Sequence, residues 1–323
     1  MARTRCYRNG LLCAEDFVLA GASEHLQEPD ALIWVDLCSP EAAELELLAD
    51  ELGLHALAVE DAVHPSQRPK LDRYPDHAFL SAYATRFDSG TAKLTMNEVA
   101  AFVTPRALVT IRKGEGFDLG DVVARWDSSP DLAKHGITFL LHGLLDSLVD
   151  GYFDAVQSLD DEIEELEDLL FVASAEQEVV QRRSFELRKS LVLLRRVVLP
   201  MREVVNTLLR RDLQLVDEAM GPYFQDVYDH ILRAAEWTES LRDLVASILE
   251  TNLTIQGNRL NIISKKVTSW AAIIAVPTAI TGFYGQNVPY PGFSQHWGFY
   301  SSSALMLGLS IGLYFLFRRN DWL

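Results

Sequence analysis

Positive charge is scarce in this chain. It has 29 lysine and arginine residues against 46 aspartate and glutamate residues, which leaves a formal net charge of −17. Nucleic-acid partners are therefore disfavoured, because phosphate backbones are bound by basic surfaces. Such an acidic balance suits cations as ligands, or it reflects a solvated acidic surface.

Cysteine is also rare. Cys6, Cys13 and Cys38 all lie near the start of the chain, their spacing matches no zinc-ligand pattern, and their odd number argues against a disulfide framework. A reducing compartment is the simplest expectation for the N-terminal part. The first 30 residues lack a long apolar segment, so we expect no signal peptide.

Phosphate-binding glycine motifs are missing as well. Neither G-x-x-x-x-G-K nor a G-x-G-x-x-G after a strand occurs in the sequence. We also find no nucleophile–base constellation and no metal cluster with catalytic spacing. The expectation is a protein that is not an enzyme and holds no organic cofactor.

Long uncharged runs are present near the C-terminus. Residues 267–284 contain 18 uncharged positions and residues 297–317 contain 21, and each run is long enough to cross a bilayer core of about 30 Å. The alternative is a pair of buried core helices. Flanking charges favour membrane spans, because basic residues precede the first run and follow the second, and the loop of residues 285–296 carries no charge. Under the positive-inside rule, both chain ends are cytoplasmic in a plasma or inner membrane.

The N-terminal region has the pattern of an α/β domain. Residues 31–38 read as a strand, followed by a helix with Ser39 as N-cap and Pro40 at its first position. Three further β-rich runs follow between turn residues, at 77–87, 97–105 and 107–113.

Helical periodicity begins near residue 136. It predicts an acidic helix, then a second helix over about 175–211 that is interrupted near Pro200, and then a long helix from Pro222 to at least Pro277. The predicted organisation is a cytoplasmic α/β domain (1–135), an acidic antiparallel helical pair (136–220), a cytoplasmic stalk helix (221–266), a first membrane helix (267–284), an outer loop (285–296), a second membrane helix (297–317) and a basic tail (318–323).

One face of the long helix is polar or small. At alternating steps of three and four, which keep to one helix face, it carries Glu250, Thr254, Gly257, Asn261, Ser264, Thr268, Ala271, Ala275 and Thr278. We call this set the polar stripe. Small residues are typical of close helix–helix packing. Hydroxyls and an amide are also suited to a water-filled path, which would need an oligomer because one hairpin cannot enclose a pore.

Several segments together resemble the CorA family of divalent-cation channels, the CorA/Mrs2-like magnesium transporters. The residues that carry the resemblance are YGQN (284–287), NRLNIISKKVT (258–268), PT (277–278), the ending RRNDWL, LHALAVEDAVHPSQRPKLDRYPDHAFL (54–80), YFQDVYDHI (223–231) and LLDSLVDGYF (144–153). The family signature is a Gly-Met-Asn triplet preceded by Tyr, and here it stands as Gly285, Gln286 and Asn287 after Tyr284. The resemblance implies a funnel-shaped homopentamer in which each stalk helix lines a central pore and the second membrane helix forms an outer ring.

The resemblance also implies roles for single residues. Tyr284 to Asn287 would form the selectivity filter, where five Asn287 amides contact the waters around Mg²⁺. Gly285 would permit the turn that ends the helix. Glu250 would concentrate cations, Asn261 and Thr278 would line the pore, and Val267 would be a hydrophobic gate. A basic collar, with plain membrane anchoring as the alternative, would consist of Lys265, Lys266, Arg318 and Arg319.

Regulatory Mg²⁺ sites between subunits are implied as well. The matching acids are Glu60 and Asp61, with Asp226 as their partner on the stalk helix and Asp146 or Asp150 as contributors. Paired carboxylates suit a hydrated hard cation, although they are also ordinary surface acids.

Some positions depart from the family pattern and leave the ion open. Gln286 replaces Met, and the outer loop lacks an acidic residue. Ser264 stands where a second apolar gate residue is usual, and Val267 is smaller than the usual Leu, so we expect an inner constriction that is wider or more hydrated than in typical members. We therefore expect a passive, potential-driven Mg²⁺ channel that also admits Co²⁺ or Ni²⁺. One alternative is a transporter of Zn²⁺ or another transition metal, with or without proton coupling, in which His296 is a candidate ligand or an ordinary loop histidine. The other is a non-conducting anchor for a cytosolic sensor.

Overall fold

A computed structural model describes residues 2–64, 68–170, 177–210, 215–286 and 288–323. The chain divides into two compact units, Met1–Ile248 and Leu249–Leu323. The first unit contains a sheet with helices on both faces, and the second contains two long apolar helical segments.

Seven strands form one mixed sheet in the first unit, in the order β2-β1-β3-β7-β6-β5-β4. Among the described residues, β3 and β7 are parallel and the other neighbouring strands are antiparallel. The strands are β1 Ala2–Arg8, β2 Leu11–Glu15, β3 Ala31–Cys38, β4 Lys70–Arg73, β5 Ala78–Asp88, β6 Lys93–Val103 and β7 Ala107–Arg112. The predicted strand at 31–38 and the three predicted β-rich runs are confirmed.

Helices cover the two faces of this sheet. On one face, Ile33 and Val35 of β3 share a buried core with Leu45 and Leu48 of the first helix. On the other face, Tyr152 donates a hydrogen bond to the carbonyl oxygen of Tyr83 at 2.9 Å. The helices of the first unit are α1 Ala42–Leu52, α2 Ala56–Val63, α3 Gly120–Ser128, α4 Pro130–Ala133, α5 Ile137–Leu169 and α6 Gln177–Leu208, and the first part of α7 Gly221–Tyr284 also belongs to it.

Two predictions about helix boundaries are wrong. Ser39 does not cap α1, because its amide donates to the carbonyl of Arg112 at 2.8 Å and so extends the sheet. The helix instead begins after Glu41, which forms a capping box with Glu44. Similarly, α6 is not interrupted at Pro200. Buried apolar residues on both sides of the proline hold the helix against its neighbours, and this packing outweighs the lost backbone hydrogen bond.

The second unit consists of the last part of α7 together with α8 His296–Arg319. Helices α7 and α8 are long and apolar enough to cross a membrane. In the apolar 18-residue segment of α7 only 6% of the residues are buried, and in that of α8 0% are buried. The alternative of two buried core helices is therefore wrong, because core helices would be covered by the rest of the chain.

Candidate ion pathway and metal site

The polar stripe lies on the side of α7 that faces away from α8. Its members, from Glu250 to Thr278, are all exposed. Within residues 267–284, the buried and half-buried residues of α7 lie on another side: Ser269, Ala272, Ile273, Val276, Pro277, Ile280 and Tyr284. Ile280 and Tyr284 also line the cavity that α7 shares with α8. At 100° per residue, the centre of this set lies roughly 160° from the centre of the stripe residues in the same range. The stripe is thus the face of α7 that is left for contacts outside this helix pair.

Threonine side chains of the stripe bond back to their own helix. The hydroxyl of Thr254 donates to the carbonyl of Glu250 at 3.0 Å, and the hydroxyl of Thr278 donates to the carbonyl of Ile274 at 3.0 Å. Because these bonds use the hydroxyl protons, the oxygen lone pairs are the groups left to face outward. At Thr254 and Thr278 the stripe therefore presents acceptors, which are the groups that interact with cations and with the waters that surround them.

Close backbone packing ends α7. The amide of Gly285 donates to the carbonyl of Thr281 at 2.8 Å, and the amide of Gln286 donates to the carbonyl of Phe283 at 3.3 Å. A Cβ atom at position 285 would lie 2.9 Å from that same Thr281 oxygen, so the turn requires glycine. Asn287, the last residue of the predicted filter, lies outside the described residues.

Aromatic rings join the end of α7 to the following loop. The rings of Tyr284 and Tyr290 have centroids 4.9 Å apart, and the rings of Tyr290 and Phe293 have centroids 5.3 Å apart. Tyr284 is therefore a supporting side chain in this structure, and its ring packs on the loop that leads to α8.

Basic residues lie at the opposite end of this helix pair. The end of α7 and the start of α8 line one shared cavity, which includes Tyr284 and Phe299. Lys265 and Lys266 lie before that end along the chain, and Arg318 and Arg319 lie after it at almost the same separation. All four side chains are exposed. This arrangement fits the positive-inside rule for a hairpin of two spans.

A mixed cluster of possible metal ligands lies in the first unit. One ligand atom each from Asp146 and Asp150 of α5 and His230 of α7 lie within 4.8 Å of one another. The two aspartates are one helical turn apart and therefore share a face. Burial raises the pKa of Asp150, and the nearby charge of Asp146 raises it further. A bound cation would offset both effects, since it favours the ionised carboxylate.

The donor set fits a divalent cation. Carboxylate oxygens suit Mg²⁺, whereas an imidazole nitrogen suits Zn²⁺, Co²⁺ or Ni²⁺. Arg125 of α3 now occupies part of this site, because its guanidinium donates to Asp146 and lies 4.0 Å from Asp150. A cation would therefore compete with Arg125 for the Asp146 oxygen.

Sequence reasoning missed His230. The available signal was its position four residues after Asp226, which places the two on one helix face. The His230 Nε2 atom lies 3.7 Å from a carboxylate oxygen of Asp226. Asp226 is thus beside the cluster, although it is not one of the three grouped ligands.

Glu60 and Asp61 do not join this cluster within the described part of one chain. Both lie on α2, where Glu60 is exposed. The Asp61 carboxylate pairs with Lys70 at 2.6 Å, and Lys70 also contacts Asp72 at 2.7 Å. Burial lowers the pKa of Lys70, but the hydrogen bonds that it donates to these two carboxylates and their negative charges together outweigh burial and raise the pKa. The positive charge of Lys70 therefore compensates Asp61 in the single chain.

Comparison with known proteins identifies the family. Residues 29–319 match the family described as CorA-like Mg²⁺ transporter protein. This chain belongs to that family. The cobalt/magnesium transport protein CorA of Thermotoga maritima is 30% identical over 294 residues, which cover 90% of this chain and 83% of the relative. The CorA-family chain is accordingly a divalent metal ion transporter and not an enzyme.

Other relatives show the same fold and a second ion. The complete structure of the CorA magnesium transporter from Methanocaldococcus jannaschii superposes with a TM-score of 0.80 at 25% identity, covering 100% of this chain and 99% of that one. It shares the N-terminal α/β domain, the long helix and the two C-terminal apolar helices. The zinc transport protein ZntB of Yersinia enterocolitica is 25% identical over 272 residues, which cover 80% of this chain and 78% of the relative. Family membership therefore leaves the choice between Mg²⁺ and Zn²⁺ open.

Proposed function

We propose that this CorA-family chain forms a homopentameric channel for passive uptake of divalent cations, chiefly Mg²⁺ and also Co²⁺ or Ni²⁺. The observation that carries the proposal is the polar stripe, which stays exposed along a membrane-spanning helix and faces away from α8. Exposure of polar groups to lipid raises the free energy of the folded protein, so this face requires water or protein beside it. Five copies of α7 around an axis would supply both.

The chemistry of the stripe suits a hydrated cation. Mg²⁺ releases its waters reluctantly and is held best by oxygens that contact those waters. Thr278 and Asn261 offer neutral oxygens along the path, and Asn287 would add a ring of amide oxygens at its outer end. Glu250 would raise the local cation concentration at the cytoplasmic end, and Val267 would restrict the path by dewetting.

Membrane potential would drive the uptake. With both chain ends in the cytoplasm, a dication that enters gains about 4.6 kcal/mol per 100 mV of negative internal potential. The two predicted spans, residues 267–284 and 297–317, contain no Asp, Glu or His. A proton-coupled mechanism usually relies on such groups inside the membrane, so their absence from the spans favours passive flow.

Intracellular Mg²⁺ would regulate the channel through acidic sites. Asp146 and Asp150 form one such site with His230, and Glu60 or Asp61 would meet Asp226 of an adjacent subunit. Cations that bridge subunits would hold the closed assembly together, and their release would allow the stalk helices to move apart. The charge of −17 on each chain would add repulsion when these sites are empty.

Zn²⁺ transport is the alternative function. It is favoured by the imidazole in the metal cluster, by the Gln286 substitution in the triplet and by the similarity to zinc transport proteins. Flux of both ions into liposomes separates the two functions. Mg²⁺ entry that follows an imposed negative potential supports the channel, whereas Zn²⁺ entry that requires a pH gradient supports the alternative.

A cysteine-accessibility experiment tests the pathway. We expect an Ala275→Cys variant, made with the three native cysteines replaced by serine, to lose most of its Mg²⁺ flux after treatment with a charged, water-soluble thiol reagent. The physical reason is that an adduct on the polar stripe would narrow the path and add charge to it. Liposome flux before and after treatment is the measurement.

The matched control is Ile273→Cys, on the half-buried side of the same helix turn. This variant should be modified slowly and should retain its flux. Equal sensitivity of the two variants, or block at Ile273→Cys alone, would show that the polar stripe is a packing surface and does not line the path.

A second prediction concerns the metal cluster. We expect Asp150→Asn to weaken binding of Co²⁺ to the full-length protein by about tenfold. The reason is that removal of one charged ligand makes the free energy of binding less favourable by at least about 1.4 kcal/mol. Isothermal titration in detergent measures the affinity. The control is Asp161→Asn, an exposed aspartate farther along α5 that hydrogen-bonds Gln157. Unchanged affinity in Asp150→Asn would remove this cluster from the regulatory proposal.

A further inference from the structure

Two thiols meet across the edge of the sheet. The Sγ atom of Cys13 lies 3.1 Å from the Sγ atom of Cys6, and it also donates to the backbone carbonyl of Cys6 at 3.2 Å. Cys6 belongs to β1 and Cys13 to β2, which are joined by a short turn. The transport proposal uses neither residue.

A β-bulge brings these side chains together. Cys6 pairs with Ala14, and the next residue, Tyr7, pairs with Leu12, so Cys13 is the extra residue of β2. In a regular register Cys13 would stand opposite Tyr7, whose side chain points to the other face of the sheet. The bulge shifts Cys13 onto the face of Cys6. The contact is therefore a product of this particular strand register.

The two thiols differ in accessibility. Cys6 is 2% exposed and belongs to the core under α1, whereas Cys13 is exposed to solvent. Burial, together with the hydrogen bond and charge of Cys13, raises the pKa of Cys6 to about 12. Cys13 is thus the thiol that an oxidant in solution reaches first, and Cys6 is the thiol placed to resolve the product.

We propose that Cys6 and Cys13 form a reversible intrachain disulfide, which makes the β1–β2 hairpin an oxidation-sensitive site of this transporter. Cys13 attacks a small disulfide such as oxidised glutathione and forms a mixed disulfide, with release of one thiol. Cys6 then attacks the Cys13 sulfur, loses its proton to solvent and releases the second thiol. Two cysteine thiols are oxidised and one disulfide is reduced to two thiols, so atoms and electrons balance.

The bond would fasten an edge strand. In the described part of the sheet β2 pairs with β1 alone, so it has no second neighbour to hold it. A covalent link between β1 and β2 would suppress the separation of this hairpin. In a reducing cytoplasm the pair would stay as thiols and respond when the compartment becomes oxidising.

Thiol counting on the full-length protein in detergent tests the proposal. After incubation with oxidised glutathione, alkylation of the unfolded chain should detect a fall from three free thiols to one. Peptide mass spectrometry should place the new bond between Cys6 and Cys13, and dithiothreitol should restore all three thiols. Hydrogen exchange at residues 11–15 should slow after oxidation.

Two variants keep the result interpretable. Cys38→Ser should still form the bond and should fall from two thiols to none. Cys13→Ser alters an exposed side chain and should keep both remaining thiols free. Persistence of three thiols in the wild-type protein would overturn the proposal, and so would a bond to Cys38 or to a second chain.

Discussion

Replacement of Gly285 by alanine is expected to lower Mg²⁺ flux by at least about tenfold. A Cβ atom at this position would lie 2.9 Å from the Thr281 carbonyl oxygen, which already accepts the Gly285 amide at 2.8 Å. Overpacking of this kind costs about 1–3 kcal/mol, and the backbone must move to relieve it. Because Gln286 and Asn287 follow directly, a shift here would displace the predicted filter in every subunit. Liposome flux at equal protein content measures the effect.

Gly308→Ala is the control. Gly308 lies in α8, away from the polar stripe, and a Cβ atom there would also meet nothing within 4 Å. This variant should transport normally and should be slightly more helical, because alanine favours the helix over glycine. If both variants transport like the wild type, the turn at residue 285 does not position the filter.

Replacement of Asn287 by alanine is expected to abolish most ion flux and to relax the choice of ion. In the proposed filter each subunit contributes one amide oxygen, and a hydrogen bond to a charged partner contributes about 1.5–3 kcal/mol. Loss of even one such contact corresponds to tenfold or more in rate. The measurement compares Mg²⁺ and Zn²⁺ entry into liposomes at an imposed negative potential.

Asn258→Ala serves as the control for this substitution. Asn258 is an exposed asparagine of α7 that lies outside the polar stripe. Full flux in Asn258→Ala with loss in Asn287→Ala supports a filter at the triplet. Wild-type flux and selectivity in Asn287→Ala would place ion selection elsewhere on the path, for instance at Asn261 or Thr278.

Local patterns predicted much of this fold. The strand at 31–38 and the two apolar spans each depend on residues that are close in sequence, and alternation or run length alone identifies them. The polar stripe is likewise a consequence of helical periodicity, and the structure shows it on one exposed face. Assignment to the CorA family came from short motifs in order along the chain, and the match to residues 29–319 confirms it.

Predictions that depended on neighbours far along the chain were less successful. Ser39 and Pro40 carry the residue types of a helix start, but Ser39 is held by the sheet strand that ends at Arg112. Pro200 carries the residue type of a helix break, but buried contacts on both sides hold α6 together. In each case packing energy exceeded a local preference of about 1–3 kcal/mol.

The sequence by itself determined the family, the succession of an α/β region and long helices, and the chemical character of the polar stripe, because these follow from residue types and short-range spacing. Only the tertiary structure decided that the stripe faces away from α8, that His230 joins Asp146 and Asp150, and that a bulge sets Cys13 against Cys6. The latter contacts join residues from different elements or depend on strand register. Their geometry follows from how helices and strands pack, which residue spacing does not specify.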